Sequence, residues 1–197
     1  MRWTCAAWAG RGGRTCPRCG RRSTGCTLFS PEVTGMADAM QPLPHAPIGM
    51  ILGLLEHLKD VPGGREDLYK LGGPMGYELD DLLPVTEAAK RLGLVRIVAG
   101  DIELTPEGKV LAAAEEPERK ERMSRYLRKL SLIADIRRAV ERSRSGRAPR
   151  NRFLERLRES FSEAEAERQL STALDWARYG EVFDFDPDAE EFVLPPS

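Results

Sequence analysis

Residues 78–114, ELDDLLPVTEAAKRLGLVRIVAGDIELTPEGKVLAAA, constrain the fold more than any other stretch. Leu79, Leu82, Leu83, Val85, Ala88, Ala89 and Leu92 recur at helical spacing. Gly93 ends that helix, because a residue without a Cβ enters the left-handed conformation past a helix C-terminus at least cost. Two β-rich runs follow, 94–98 and 101–104, around a Gly100-Asp101 turn that suits a tight hairpin. Thr105 then caps a further helix, with Pro106 at its first position.

Upstream, Ile48, Ile51, Leu52, Leu55 and Leu58 predict a helix that stops near Asp60, before VPGG. A short second helix is expected over 65–71, with Leu68, Tyr69 and Leu71 inward, and a Gly-rich turn over 71–76. Helix, helix, turn, helix, hairpin, helix is the order of a winged helix-turn-helix domain over 48–116. A long helix is expected from Pro117 to about Ser143, with Met123, Tyr126, Leu127, Leu130, Ile133, Ile136 and Val140 as its apolar stripe; it serves as a connector over 117–145. SRSGRAP breaks it. A helix over 150–160, a second helix capped by Ser162 and a hairpin of 182–185 with 191–194 make a second winged-helix-like unit over 150–194. Trp176, Tyr179, Phe183, Phe185 and Phe192 supply its core. The fold class is therefore mainly α with small β-hairpins: tandem winged-helix-like domains joined by a long helix.

Residues 1–47 differ in composition. They show no apolar periodicity, and the first 40 hold six arginines against Glu32 and Asp38. The four cysteines of the chain, Cys5, Cys16, Cys19 and Cys26, all lie here. Cys16-Pro-Arg-Cys19 is a zinc half-site, and four thiolates could close a tetrahedral site. A lone CxxC is a weak motif, so the expectation is a disordered tail, or sequence upstream of a start at Met36 or Met40, with no bound metal. Residues 41–47, QPLPHAP, read as an extended lead-in. No apolar run is long enough to span a bilayer, and the expected location is cytoplasmic, including the inner face of the cell membrane.

No catalytic constellation stands out, and neither enzymatic activity nor a cofactor is expected. His45 and His57 read as surface or boundary residues. Gly108-Lys109 is followed by Val110, and Glu103 stands where a phosphate-binding loop needs its first glycine. Glu78, Asp80 and Asp81 open the helix that would read DNA, where carboxylates repel phosphate. The chain as a whole carries a net charge of −1. Nucleic acid is thus disfavoured. A DNA-binding transcription regulator acting through Lys90, Arg91, Arg96 and the basic helix is the alternative. From Arg119 to Glu159, fifteen basic residues face five acidic ones. Arg125, Arg128, Lys129, Arg137, Arg138 and Arg142 are its candidate partner-binding residues, for acidic protein surface, anionic lipid headgroups or nucleic acid.

Five segments carry a family resemblance: LGLL (52–55) with GGREDLY (63–69), ELDDLLP (78–84), GDIELTP (100–106), and 163–170 with DWARY (175–179). Together they resemble, over about 41–194, the C-terminal AAA-associated domain that follows the ATPase of nitrate/sulfonate/bicarbonate-type ABC importers. The resemblance implies an accessory, regulatory domain whose partners are an ABC-type ATPase subunit and, through it, a permease complex. The Walker A and signature motifs of the ATPase are absent from this sequence, so no catalytic residue carries over.

Overall fold

The apolar spacing after residue 47 forms α1 (Ile48–Asp60), which buries Ile48, Ile51, Leu54, Leu55 and Leu58. The computed structural model describes residues 41–76 and 78–195; Cys5, Cys16, Cys19 and Cys26 lie outside them, with the zinc half-site and the candidate starts.

The short helix expected over 65–71 is mostly something else. Gly63 and Gly64, both at positive φ, turn the chain into β1 (Arg65–Asp67), and only one helical turn, α2 (Gly72–Met75), follows. Three residues cannot nucleate a helix, whereas β3 offers a ready ladder. Arg65, Glu66 and Asp67 pair antiparallel with Glu103, Ile102 and Asp101. Next come α3 (Leu79–Arg91), β2 (Val95–Val98), β3 (Asp101–Leu104) and α4 (Pro106–Ala113). Leu82, Val85, Ala88, Ala89 and Leu92 of the predicted stripe are buried, but Leu83 is exposed. Ala99 and Gly100 both take positive φ, as a two-residue hairpin turn requires. Thr105 caps α4 by accepting from the Gly108 amide at 3.0 Å. Gly108 lies so close to the Leu94 carbonyl that no side chain fits there.

The single long helix is also corrected. It is two helices, α5 (Glu116–Leu127) and α6 (Ser131–Arg142), separated by an extended Leu130. The three-and-four spacing runs across the break, so periodicity alone hides it. Packing explains it: α5 lies against α4 and α8 (Glu163–Tyr179), whereas α6 lies against α8 and the second sheet. A straight helix of that length would run about 40 Å and carry its second half off the core. Gly180, after α8, sits where a Cβ would meet the Leu127 side chain at 2.8 Å, which lets α5 approach.

The stretch expected to be a plain break contains β4 (Arg147–Pro149). It is followed by α7 (Arg150–Arg158), α8, β5 (Asp184–Asp186) and β6 (Glu191–Val193). The sheets have orders β1-β3-β2 and β4-β6-β5, all antiparallel. The series α1-β1-α2-α3-β2-β3 thus recurs as α6-β4-α7-α8-β5-β6. Phe192 anchors the second copy, with Phe153, Phe183 and Phe185 at 5.4–5.6 Å between ring centroids.

Residues 41–47, placed with the tail from sequence, belong to the body. Leu43 and Ala46 are buried in a hydrophobic cluster that runs through both halves. The segment is strapped to α8. The Leu43 amide donates to Gln169 Oε1 at 2.6 Å, Gln169 Nε2 donates back to the Leu43 carbonyl at 3.0 Å, and the buried Trp176 indole donates to the Ala46 carbonyl at 2.7 Å. The Pro47 ring carries no acceptor to cap α1, and Asp175 does so from α8, accepting from the Ile48 amide at 3.1 Å.

Candidate functional site

The apolar stripe of α6 sets where its charges go. Leu132, Ile133, Ile136 and Val140 face the core, which leaves Asp135, Arg138 and Arg142 in a row on the outer side. In α7, Phe153, Leu154 and Leu157 are buried, and Arg152 and Arg156 stand one turn apart on the other side. β4 adds Arg147. These rows line one open cleft of about 540 Å³, with Ala139, Ala148, Pro149 and Phe153 as its apolar part.

Its charge is only partly compensated. Asp135 is the sole carboxylate of the lining; it accepts from Arg138 at 2.6 Å and also from Arg156. Arg147 donates to Asp186 at 2.8 Å and reaches Glu191 at 3.5 Å. The bond to Asp186 holds the guanidinium charged, and in turn keeps the Asp186 carboxyl below its usual range. Arg152 lies over the Phe153 ring at 5.9 Å. Among the described residues, Arg142 and Arg152 have no carboxylate within ion-pair distance.

The six candidate residues do not form one face. Arg125 is paired with Glu121 on its own helix. Arg137 pairs with Glu141 at 2.7 Å and donates to the Val182 carbonyl, so it ties α6 to the start of the second hairpin. Arg128 and Lys129 sit at the corner between α5 and α6; Lys129 lies over the Tyr126 ring at 5.4 Å. Burial lowers the Arg128 pKa, and the Arg137 charge adds to that. Only Arg138 and Arg142 enter the cleft, where they meet Arg147, Arg152 and Arg156, which sequence reasoning counted among the basic residues but did not single out. The available signal was the spacing of four within each arginine pair.

The would-be DNA-reading surface is acidic or neutralised. Asp80 and Asp81 are exposed in the first turn of α3. Arg96 donates to Glu103 through two nitrogens at 3.0 and 3.1 Å, and Arg65 donates to Asp101 at 2.7 Å. Arg96 in turn holds the Glu103 carboxyl below its usual range. Lys90 pairs with Glu87 at 3.2 Å, and Arg91 is drawn to Gln41 and the Pro42 carbonyl.

Both histidines are partly buried and partnered. His45 bridges Glu165 at 2.9 Å and Thr172 at 3.0 Å, and His57 meets Glu66 at 2.6 Å. Among the described residues no group of His, Cys, Asp or Glu is placed to hold a metal ion, and no helix is long and apolar enough to cross a membrane.

Fold and surface together define a mainly α module with two small antiparallel sheets and an arginine-lined cleft. The chain belongs to the family of the C-terminal AAA-associated domain, whose model matches residues 69–186, within the stretch that carries the sequence resemblance. It is thus a domain of the kind associated with an ATPase. No curated protein and no solved structure matches the chain.

Proposed function

We propose that this protein is a non-catalytic accessory domain that binds and regulates the ATP-binding subunit of an ABC importer of the nitrate/sulfonate/bicarbonate type, and through it meets the permease complex. It acts in the cytoplasm, at the inner face of the membrane, and ATP hydrolysis belongs to the partner. The observation that carries this reading is the family match over 69–186, which ties the module to an ATPase. The lack of a phosphate-binding loop around Gly108-Lys109 fits the same reading.

We further infer that each α-β-α-α-β-β series is a winged helix turned to protein binding. The exposed Asp80 and Asp81 and the paired Arg65 and Arg96 disfavour a polyphosphate on α3 and its hairpin. β2 is an edge strand that leaves Ile97 and Val98 exposed, a surface suited to a protein partner. Arg128 and Lys129, free of carboxylate partners among the described residues, supply a basic corner for acidic surface on the ATPase. The test is affinity purification of the tagged full chain from its native cells. Recovery of an ABC ATP-binding subunit, reduced by Arg128→Glu with Lys129→Glu, is expected. Repeated recovery of DNA and no ATPase would overturn the reading in favour of a transcription regulator.

A further inference from the structure

We propose that the cleft between α6, β4 and α7 is a binding site for a small phosphate-bearing anion. Arg138 and Arg142 stand one turn apart on α6, and Arg152 and Arg156 one turn apart on α7. Like charges at that spacing repel. Here two such rows line one cleft, and Arg147 joins them from β4. The contrast with the rest of the basic region is direct. Arg122, Arg125 and Arg137 each pair with a glutamate one turn away, Glu118, Glu121 and Glu141. In the cleft, five guanidiniums face Asp135 within the lining and Asp186 and Glu191 on Arg147, so positive charge remains after every pairing. It is concentrated on Arg142 and Arg152.

Guanidinium forks match phosphate oxygens in shape and charge, and forks converging from three elements suit an anion with several oxygens. The volume of about 540 Å³ falls in the range of small-molecule sites. The concave form favours a compact ligand over a flat acidic surface. Ala139, Ala148, Pro149 and Phe153 keep part of the lining apolar, which strengthens the field on an anion held there. The site is built from this chain alone and does not depend on the ATPase reading.

Titration calorimetry of the full chain with inorganic pyrophosphate at physiological ionic strength tests it. One saturable site per chain is expected, weakened about tenfold or more by Arg142→Gln with Arg152→Gln. Arg125→Gln, outside the cleft, leaves it unchanged. Both cleft residues are exposed, so the double variant folds; its urea midpoint without ligand is equal to or above that of the parent, and the stabilisation by pyrophosphate is gone. A nucleoside diphosphate that binds tighter than pyrophosphate assigns a phosphate ester, and one that binds no tighter assigns an inorganic oligophosphate; both uphold the site. Absence of saturation, an equal loss in Arg125→Gln and the double variant, or tighter binding of a polyglutamate peptide would each overturn it.

Discussion

Replacing Gly108 by Ala places a methyl group of α4 against the backbone at Leu94, which leads from α3 into β2. The added Cβ would sit 2.0 Å from the Leu94 carbonyl oxygen, 2.9 Å from its carbon and 3.2 Å from Leu104 Cδ2. A backbone carbonyl cannot rotate away as a side chain does, so α4 has to retreat by more than an ångström. That movement strains the hydrogen bond from the Thr105 amide to the same oxygen at 3.0 Å, and disturbs the Thr105 hydroxyl, whose one proton is shared between the Gly93 carbonyl at 2.7 Å and the Leu94 carbonyl at 3.0 Å. It also disturbs the buried Leu111 and Ala112 on the next turn. Overpacking costs about 1–3 kcal/mol and each weakened hydrogen bond up to about 1 kcal/mol, while Ala in place of Gly in a helix returns about 1 kcal/mol. The expected net loss is about 2–3 kcal/mol, which at a urea slope of about 2 kcal/mol/M lowers the midpoint by about 1 M or slightly more. Gly53 is the matched control: it lies within α1 and a Cβ there meets nothing within 4 Å. Gly53→Ala should therefore raise stability by about 0.5–1 kcal/mol. Urea unfolding followed by far-UV circular dichroism reads both. A Gly108→Ala protein as stable as the parent would refute the placement of α4 on Leu94.

Gln169→Leu removes both bonds that hold the buried Leu43 backbone; with each orphaned group costing about 1–3 kcal/mol, a loss of about 2–4 kcal/mol is expected in urea unfolding, and a loss near zero would show that the strap is not fixed to α8. The Asp184 carboxyl is held below its usual range, chiefly by the Arg178 guanidinium at 2.6 Å and further by the Phe185 amide, against partial burial. Its contribution is therefore complete above the unfolded value of about 4 and is lost as pH falls below that; Asp184→Asn should shrink the drop in urea midpoint between neutral and acid pH, and an unchanged drop would contradict the pairing.

Much of the fold was legible in the sequence, and the gaps have physical causes. The elements over 78–113 read correctly, though Leu83 of the stripe is exposed, because every signal there is local: a stripe of one period, Gly93 at positive φ, and a Thr-Pro cap. β1 and β4 were missed because a three-residue strand is defined by its partner, and β3 and β6 lie 34 and 42 residues or more further along. The break at Leu130 was missed because no Gly or Pro marks it and the spacing of Leu127, Leu130 and Ile133 continues through it. The lead-in 41–47 looked like tail because its bonds to α8 run to Glu165, Gln169, Thr172 and Trp176, at least 120 residues away. The basic region was visible as a count of charges. Which cations are spent on Glu118, Glu121 and Glu141, and which converge on one cleft, depends on the angle between α6 and α7, which sequence spacing does not encode.

The central claim, that this module serves an ATPase and is not one, is tested most directly by steady-state ATP hydrolysis of the purified ABC ATP-binding subunit titrated with the full chain. The account predicts no hydrolysis by the chain alone and a saturable change in the rate of the ATPase that levels off at a fixed ratio of the two. A rate that stays flat at every concentration, or turnover by the chain in isolation, would contradict it.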